Sequence, residues 1–299
     1  MSPQPAAAID SAPGPCVHML LPVHNRKAIT LQFVNCLRRQ THAAWRLILI
    51  DDGSTDGTAD AVRAVVPDCT VLTGRGQWWW GGSLHQGYEY LRHQPPPDDD
   101  LVLICNDDTI FEPDFLACAV KALAGRKGAM LLAQLYDQDG GGFMESGVHA
   151  DWRTLNFEGV ADPARINCFS TRGLFQRVDD FLALGGFHPH LLPHYGSDYE
   201  YTMRAHRLGR QLLTDPSVRL SADNTTTGIR ELAPASLAGY LRQVFSKRSV
   251  PNPWYWSMFI LLACPPRLVP VNLYRIWKSF AATTLRVIAP KDGPMHRAD

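Results

Sequence analysis

The amino-acid sequence predicts an α/β fold: a mostly parallel twisted sheet with helices on both faces, followed by a helical C-terminal extension. Three observations lead there. Between Cys16 and Leu135, short apolar runs alternate with longer runs of helical period, the pattern of strands joined by crossover helices. Carboxylate clusters at Asp51-Asp52 and Asp107-Asp108 directly follow apolar runs, at the strand ends where open α/β sheets place their ligands. Charge is also unevenly distributed. The chain as a whole is neutral, with Lys+Arg 29 against Asp+Glu 29, yet from Ser236 onward nine Lys/Arg face two Asp. That surplus of seven is matched by a deficit in the preceding residues, so body and tail are expected to have different tasks. The expected divisions are a flexible lead over 1–15, a folded body over 16–235 and a basic amphipathic extension over 236–299.

With 299 residues, 45% hydrophobic and 19% charged, the chain is neither disordered nor fibrous and is long enough for a substantial core. Zero net charge argues against a nucleic-acid partner. The seven cysteines are odd in number and form no C-x-x-C pair, which reads as reduced thiols in a cytoplasmic protein. Met1 to Pro15 lacks the basic and apolar regions of a signal peptide. The apolar run Trp254–Cys264 is about half of the roughly 20 residues that a spanning helix needs.

Taken in order, Val17–Val23 reads as a strand, and Lys27–Gln40 as a helix with Ile29, Phe33, Val34 and Leu37 on one stripe. Trp45–Ile50 is a strand ending at Asp51-Asp52-Gly53. Thr55–Val66 reads as helix, Thr70–Leu72 as a short strand and Ser83–His93 as helix. Leu101–Cys105 is a buried strand ending at Asn106-Asp107-Asp108. Pro113 opens a helix reaching about Leu123, and Gly128–Leu135 is a further strand. Beyond Asp137 the pattern gives way to Gly-rich turns, a hairpin around Phe143–Val148 and a polar stretch to Thr171. Helices follow at Val178–Leu184 and Asp198–Leu208, then an edge strand at Gln211–Thr214.

Several motifs admit a bland and a functional reading. Asp52-Gly-Ser-Thr-Asp56-Gly57 starts like a calcium loop, but the twelfth position is Arg63 where a bidentate Glu is required. Its carboxylates either cap the next helix or hold donor groups such as ribose hydroxyls. Three polar residues after the apolar strand Leu101–Cys105 are costly unless they face a cleft or a cation, and adjacent carboxylates repel unless something positive lies beside them. A divalent ion is the usual remedy. Gly74-Arg-Gly76 resembles the start of a dinucleotide fingerprint, but the third glycine position is Trp79 and no helix is predicted to open there. Three adjacent indoles, Trp78 to Trp80, cannot all face one core, so at least one is expected to line a cleft. His188, His190 and His194 lack the companions of a zinc site and read as ordinary loop histidines. Asp198 falls in the first turn of a helix, where it either caps or serves as a general base, and Glu200 pairs with Arg204 at i,i+4.

Taken as an ordered set, Leu21-Pro-Val-His-Asn25, Asp51-Asp-Gly-Ser-Thr-Asp56, Trp79-Trp-Gly-Gly-Ser83, Asn106-Asp-Asp-Thr109, Gly185-Gly-Phe187 and Asp198-Tyr-Glu200 with Arg204 resemble family 2 glycosyltransferases of the GT-A fold. The resemblance covers about residues 16–235. It implies an inverting enzyme that uses a nucleotide-diphosphate sugar, with Asp198 as catalytic base and Asp108 as metal ligand for Mg²⁺ or Mn²⁺. It also implies donor contacts from Pro22, His24, Asn25, Asp51, Asp52, Trp79, Gly82, Asn106, Asp107 and Arg204. Asn106 departs from a strict D-x-D motif. Ser221-Ala-Asp223-Asn224 stands where many relatives have a His, which leaves Asp223 as a guess for a third ligand. The Trp-Trp-Gly-Gly variant resembles rhamnosyltransferase-like members that build bacterial surface polysaccharides, which implies a glycan or lipid-linked acceptor.

Two other readings stay open at this point: a nucleotidyltransferase, and a non-catalytic nucleotide-sugar-binding module. In the tail, Asn272–Ile288 places Leu273, Ile276, Trp277, Phe280, Val287 and Ile288 on one face, with Arg275, Lys278 and Arg286 opposite. This predicts peripheral attachment to an anionic membrane on its cytoplasmic side, the alternative being packing on the body or a homo-oligomer interface.

Overall fold

In a computed structural model, the structure describes residues 14–138, 141–145, 147–160, 162–222 and 236–288. The predicted lead lies almost wholly outside them, as do Asp223 and the residues before the 235/236 boundary. Four strands build the first half: β1 (Val17–Val23), β2 (Trp45–Asp51), β3 (Thr70–Thr73) and β4 (Leu101–Ile104). They pair in parallel in the order β3-β2-β1-β4. The connections are α1 (Lys27–Arg38), α2 (Thr58–Val65) and α3 (Trp79–His93), and after the short strand β5 (Thr109–Ile110) comes α4 (Phe115–Leu123). The sheet continues through β6 (Ala129–Asp137), β7 (Phe143–Glu145), β10 (Leu174–Arg177) and β11 (Gln211–Ala222) in the order β4-β10-β6-β11-β5, with β7 on β6. Six of the nine strands run in one direction; β10, β5 and β7 run against them.

The two faces are filled as alternating side chains require. Met19, Leu21, Leu47, Leu49 and Leu103 meet Phe33, Val34 and Leu37 of α1, Val62 of α2 and Phe115 of α4. Leu20, Ile48, Ile50, Val102 and Ile104 meet Leu84 and Leu91 of α3. On the same face are Phe181 of α5 (Val178–Leu184) and Tyr201 of α6 (Ser197–Arg207). All of these side chains are buried, and at about 25 cal/mol per Å² of apolar area such a two-sided core supplies the main stabilising term.

Four details depart from the sequence reading. The hairpin lies not at Phe143–Val148 but between β8 (Val148–Asp151) and β9 (Asn156–Gly159), while β7 pairs with β6. The predicted edge strand extends to Ala222, with a register shift between Asp215 and Arg219. Strand β10 falls between the polar stretch that ends at Thr171 and the helix at Val178, where the sequence reading places no element. Helix α3 begins at Trp79, four residues earlier than predicted, so a helix does open at the third position of the Gly74-Arg-Gly76 segment; that segment follows β3 and not the first strand.

The extension forms α7 (Leu237–Val244), α8 (Pro253–Ala263) and α9 (Val269–Ile288). Phe259 and Ala263 of α8 are buried with Met203 of α6, Trp152 and Phe157 packing on the same cluster. Asn272 Nδ2 donates to the Trp152 carbonyl at 2.9 Å.

Candidate active site

The C-terminal ends of β1, β2 and β4 deliver His24, Asp51-Asp52 and Asn106-Asp107-Asp108 to one edge of the sheet. A cavity of about 260 Å³ lies there, lined by Pro22, His24, Arg26, Asp52, Trp79, Trp80, Ser83, Asn106, Asp107 and His194. A larger hollow of about 650 Å³ runs along α1 past Gln32, Arg38 and Gln138, and no carboxylate lines it.

Asp52 shapes one wall of the cavity. Its Oδ1 accepts the N–H groups of Gly76 and Gln77 at 2.8 and 3.0 Å, and its Oδ2 accepts those of Trp78 and Trp79 at 2.8 and 3.0 Å. The carboxylate therefore caps α3 from a distant strand end, favoured by the positive helix terminus. Trp79 is held at φ +59°, in the left-handed region. Gly53, at φ +75°, faces the same loop so closely that a Cβ would lie 2.8 Å from the Gly76 nitrogen. Asp51 Oδ1 accepts from the Ser54 N–H at 2.7 Å, and the His24 ring nitrogen Nδ1 lies 2.7 Å from the Asp52 carbonyl. Asn25 ties this turn to Thr55, accepting its N–H at 2.7 Å.

At the β4 end the neutralising positive charge is Arg26, a residue the sequence reading passed over. Its guanidinium reaches Asp107 Oδ1 at 3.3 Å and Asp108 Oδ2 at 3.2 Å. Thr30 donates to Asp107 Oδ2 at 2.9 Å. Burial pushes the Asp107 carboxyl up to about 6, against the pull of Arg26 and Thr30. Asp107 lines the main cavity, while Asp108 lines an adjoining hollow of about 160 Å³ that Asp107 also borders. Asp108 Oδ1 is buried without a hydrogen-bond partner. An orphaned carboxylate oxygen fits a hard divalent ion, which takes one or two carboxylates and completes its shell with water and phosphate oxygens.

The third component is the N-terminus of α6. The Gly81 N–H donates to the Pro193 carbonyl at 2.8 Å, and Ser197 Oγ donates to the His194 carbonyl at 2.7 Å. A Cβ at Gly81 would lie 2.5 Å from the Leu192 carbonyl oxygen, so only glycine lets the starts of α3 and α6 approach so closely. Asp198 sits in this first turn. Burial pushes its carboxyl up to about 6, with the Tyr199 N–H and the Arg172 charge acting in the other direction. Arg172, which also acts on Cys105 at the end of β4, is a second basic residue without any local sequence signal.

Two expected donor contacts are engaged elsewhere. Arg204 donates to Glu200 and to the carbonyls of Leu184 and Gly186 at 2.6 and 2.8 Å. Glu200 is buried, and His188 and Arg204 hold its carboxyl below the usual range despite that burial. Gly82 is buried inside α3, where a Cβ would meet Trp78 and Pro189. Trp79 and Trp80 line the cavity, as expected for a Trp triplet that cannot all face one core, and Trp80 Nε1 donates to Thr171 Oγ1 at 3.1 Å. His194 was read as an ordinary loop histidine. It instead lines the cavity, its ring 5.6 Å from Trp79 and its Nδ1 buried without a partner.

The model of glycosyl transferase family 2 matches residues 19–182, more than half of the chain and all the strand ends described above. The chain belongs to this family. No curated protein matches it. Among solved structures, a mannosyltransferase from Pyrobaculum calidifontis, in complex with GDP-Man and Mn²⁺, superposes with a TM-score of 0.58 at 18% identity, covering 92% of this chain and 78% of that one. GalNAc-T7 with UDP, GalNAc and Mn²⁺ gives 0.60 at 14% identity, covering 92% of this chain and 57% of that one. S. aureus TarS 1–349 gives 0.56 at 14% identity, covering 90% and 92%. At these identities the likeness is one of fold, and it places the family 2 chain among GT-A structures.

In this family 2 chain the cavity, the Asp52-capped loop and Asp198 therefore lie on a shared scaffold. The Cys16, His18 and Asp100 ligand atoms, within 4.8 Å of one another, lie at the opposite ends of β1 and β4. There His18 Nε2 is already 2.9 Å from Asp100 Oδ2, and Asp100 Oδ1 accepts the Cys16 N–H at 2.8 Å.

Proposed function

We propose that the chain moves a glycosyl group from a nucleotide-diphosphate sugar to a hydroxyl of a glycan or lipid-linked glycan, with inversion, in surface-polysaccharide assembly. What supports this reading is a strand-end cavity beside the start of α6, where Ser197 holds the carbonyl of the cavity-lining His194 and Asp198 is a carboxylate whose proton affinity burial has raised to about 6. A base of that strength is ionised at neutral pH and still accepts a proton readily.

In the proposed reaction Pro22, His24 and Asp51 meet the nucleoside, and Trp79 offers a stacking face. Asn106 and Asp107 face the diphosphate and sugar. Asp198 takes the proton of the acceptor hydroxyl as its oxygen attacks the anomeric carbon. The bond to the diphosphate breaks on the opposite face, its electron pair leaves with the diphosphate, and the proton remains on the Asp198 carboxyl. Asp108, through its unpartnered oxygen, would hold Mg²⁺ or Mn²⁺, which when bound stabilises the charge of the leaving group. Arg26 keeps the neighbouring carboxylates from repelling each other.

The extension supports peripheral membrane attachment. Residues 236–288 contain seven Lys/Arg and no Asp or Glu. The expected apolar face proves to be partly used within the molecule: Leu273, Ile276, Phe280 and Val287 are half-buried, with Phe280 against Tyr240 and Phe245. Trp277 and Ile288 of that face stay exposed, and a second stripe, Val271, Tyr274 and Leu285, is exposed beside Lys278. No helix among the described residues is long and apolar enough to cross a membrane.

Incubation with a panel of UDP-, GDP-, dTDP- and ADP-sugars tests the reaction class. Release of nucleoside diphosphate is expected. Formation of nucleoside triphosphate and sugar 1-phosphate when pyrophosphate is added would indicate nucleotidyl transfer, and binding without turnover would indicate a non-catalytic module.

A further inference from the structure

The basic tail meets the Trp triplet through two residues, Lys247 and Arg248, that take no part in the proposed reaction. Lys247 and Arg248 lie between α7 and α8. Lys247 Nζ donates to the Gln77 carbonyl at 3.4 Å, and the Arg248 guanidinium carbon lies 5.4 Å from the centre of the Trp79 ring. That indole is the cavity-lining residue held at φ +59°, and a left-handed conformation in a bulky residue is a form of strain that concentrates at functional sites. His194, against the same indole, is pushed down to about 4 by burial and by the Arg248 charge. It is therefore neutral, and Arg248 is the positive group against the cavity-lining Trp79.

Arg26, the other positive group at the cavity, is already taken up by carboxylates. Asp52 is engaged by four N–H groups, and Asp107 and Asp108 face Arg26. Arg248 differs: no Asp or Glu occurs in its own segment, residues 236–288. A guanidinium stacked on a cavity wall keeps its fork of N–H donors free for an anion of phosphate geometry.

We propose that Arg248, supplied by the C-terminal extension, binds the diphosphate of the nucleotide donor. The inference rests on the donor reading given above. A lipid-linked diphosphate acceptor offers the same chemistry, and the test separates the two.

The test uses calorimetric titration of the full chain with UDP, GDP, dTDP and ADP and with the corresponding nucleosides, for wild type, Arg248→Ala and Arg248→Lys. Arg248 is exposed, so both variants are expected to fold. If Arg248 holds the diphosphate, Arg248→Ala weakens the preferred nucleoside diphosphate by about 10-fold or more and leaves its nucleoside unchanged, while Arg248→Lys recovers part of the loss. Equal loss for nucleoside and diphosphate would reduce Arg248 to a support for Trp79 and overturn the proposal. Unchanged diphosphate affinity, with a raised KM confined to a lipid-linked acceptor, would overturn it too. If the wild type binds none of the nucleotides, the donor reading itself fails and takes the proposal with it. Wild-type binding with an unaffected Arg248→Ala variant removes the proposal alone.

Discussion

Both oxygens of Asp52 accept backbone N–H groups, four in all. In Asp52→Asn one oxygen becomes an amide that presents hydrogens to two of those donors. Each buried group left unpaired costs about 1–3 kcal/mol, and for a chain of this size each kcal/mol lowers Tm by about 2–4 °C. A thermal melt of Asp52→Asn is expected to show a loss of several degrees together with weakened donor binding. The identity of Asp52 was legible in the sequence because a carboxylate ends an apolar strand. Its partners were not, because they lie 24 to 27 residues away. Arg26 and Arg172 carry no local signal for the same reason, since the carboxylates they act on lie far along the chain. Asp108 gives a second residue-level prediction: Mn²⁺ or Mg²⁺ raises nucleoside-diphosphate affinity in the wild type, and Asp108→Ala abolishes the gain, read by titration with and without EDTA. Equal wild-type affinity in EDTA would assign the neutralisation to Arg26 alone.

Among the elements, the meeting of α3 and α6 decides where the base stands. Gly81→Ala inserts a methyl 2.5 Å from the Leu192 carbonyl oxygen, which must push the helix starts apart at a cost of about 1–3 kcal/mol. Denaturant unfolding should register that loss. Turnover should fall further than stability implies, since a displacement of about 1 Å at a reacting group can cost 10²-fold in rate. Strands β1, β2 and β4 were readable from their continuous apolar runs, whereas β10 was not. Its four residues include Gln176 and Arg177, buried polar groups with distant partners, Tyr201 for one and Asp99 for the other. Helix α3 was predicted to start late because its cap is not local: Asp52 does what a neighbouring Ser or Asp does at an ordinary helix start.

For the whole molecule, charge separates an acidic body from a basic tail along the sequence, but the orientation of α9 is not legible there. Periodicity identifies an apolar face without saying what covers it, and α7 and α8 took most of the predicted one. The remaining exposed stripe with its basic neighbours predicts flotation with anionic liposomes and not with neutral ones, each Lys/Arg near the surface adding about 1 kcal/mol. A chain ending at Pro234 should lose this binding. Retention by the shortened chain would place the membrane contact on the body.

The proposed role of Asp198 as the base of glycosyl transfer stands or falls with the behaviour of Asp198→Asn toward the preferred donor. Nucleoside-diphosphate affinity is expected to be retained while turnover falls by about 10²–10⁴-fold. In the wild type, kcat/KM should decline on the acid side with a midpoint near about 6, because the ionised carboxylate is the active form and protonation removes it. Near-normal turnover by Asp198→Asn, with the acid limb unchanged, would contradict it.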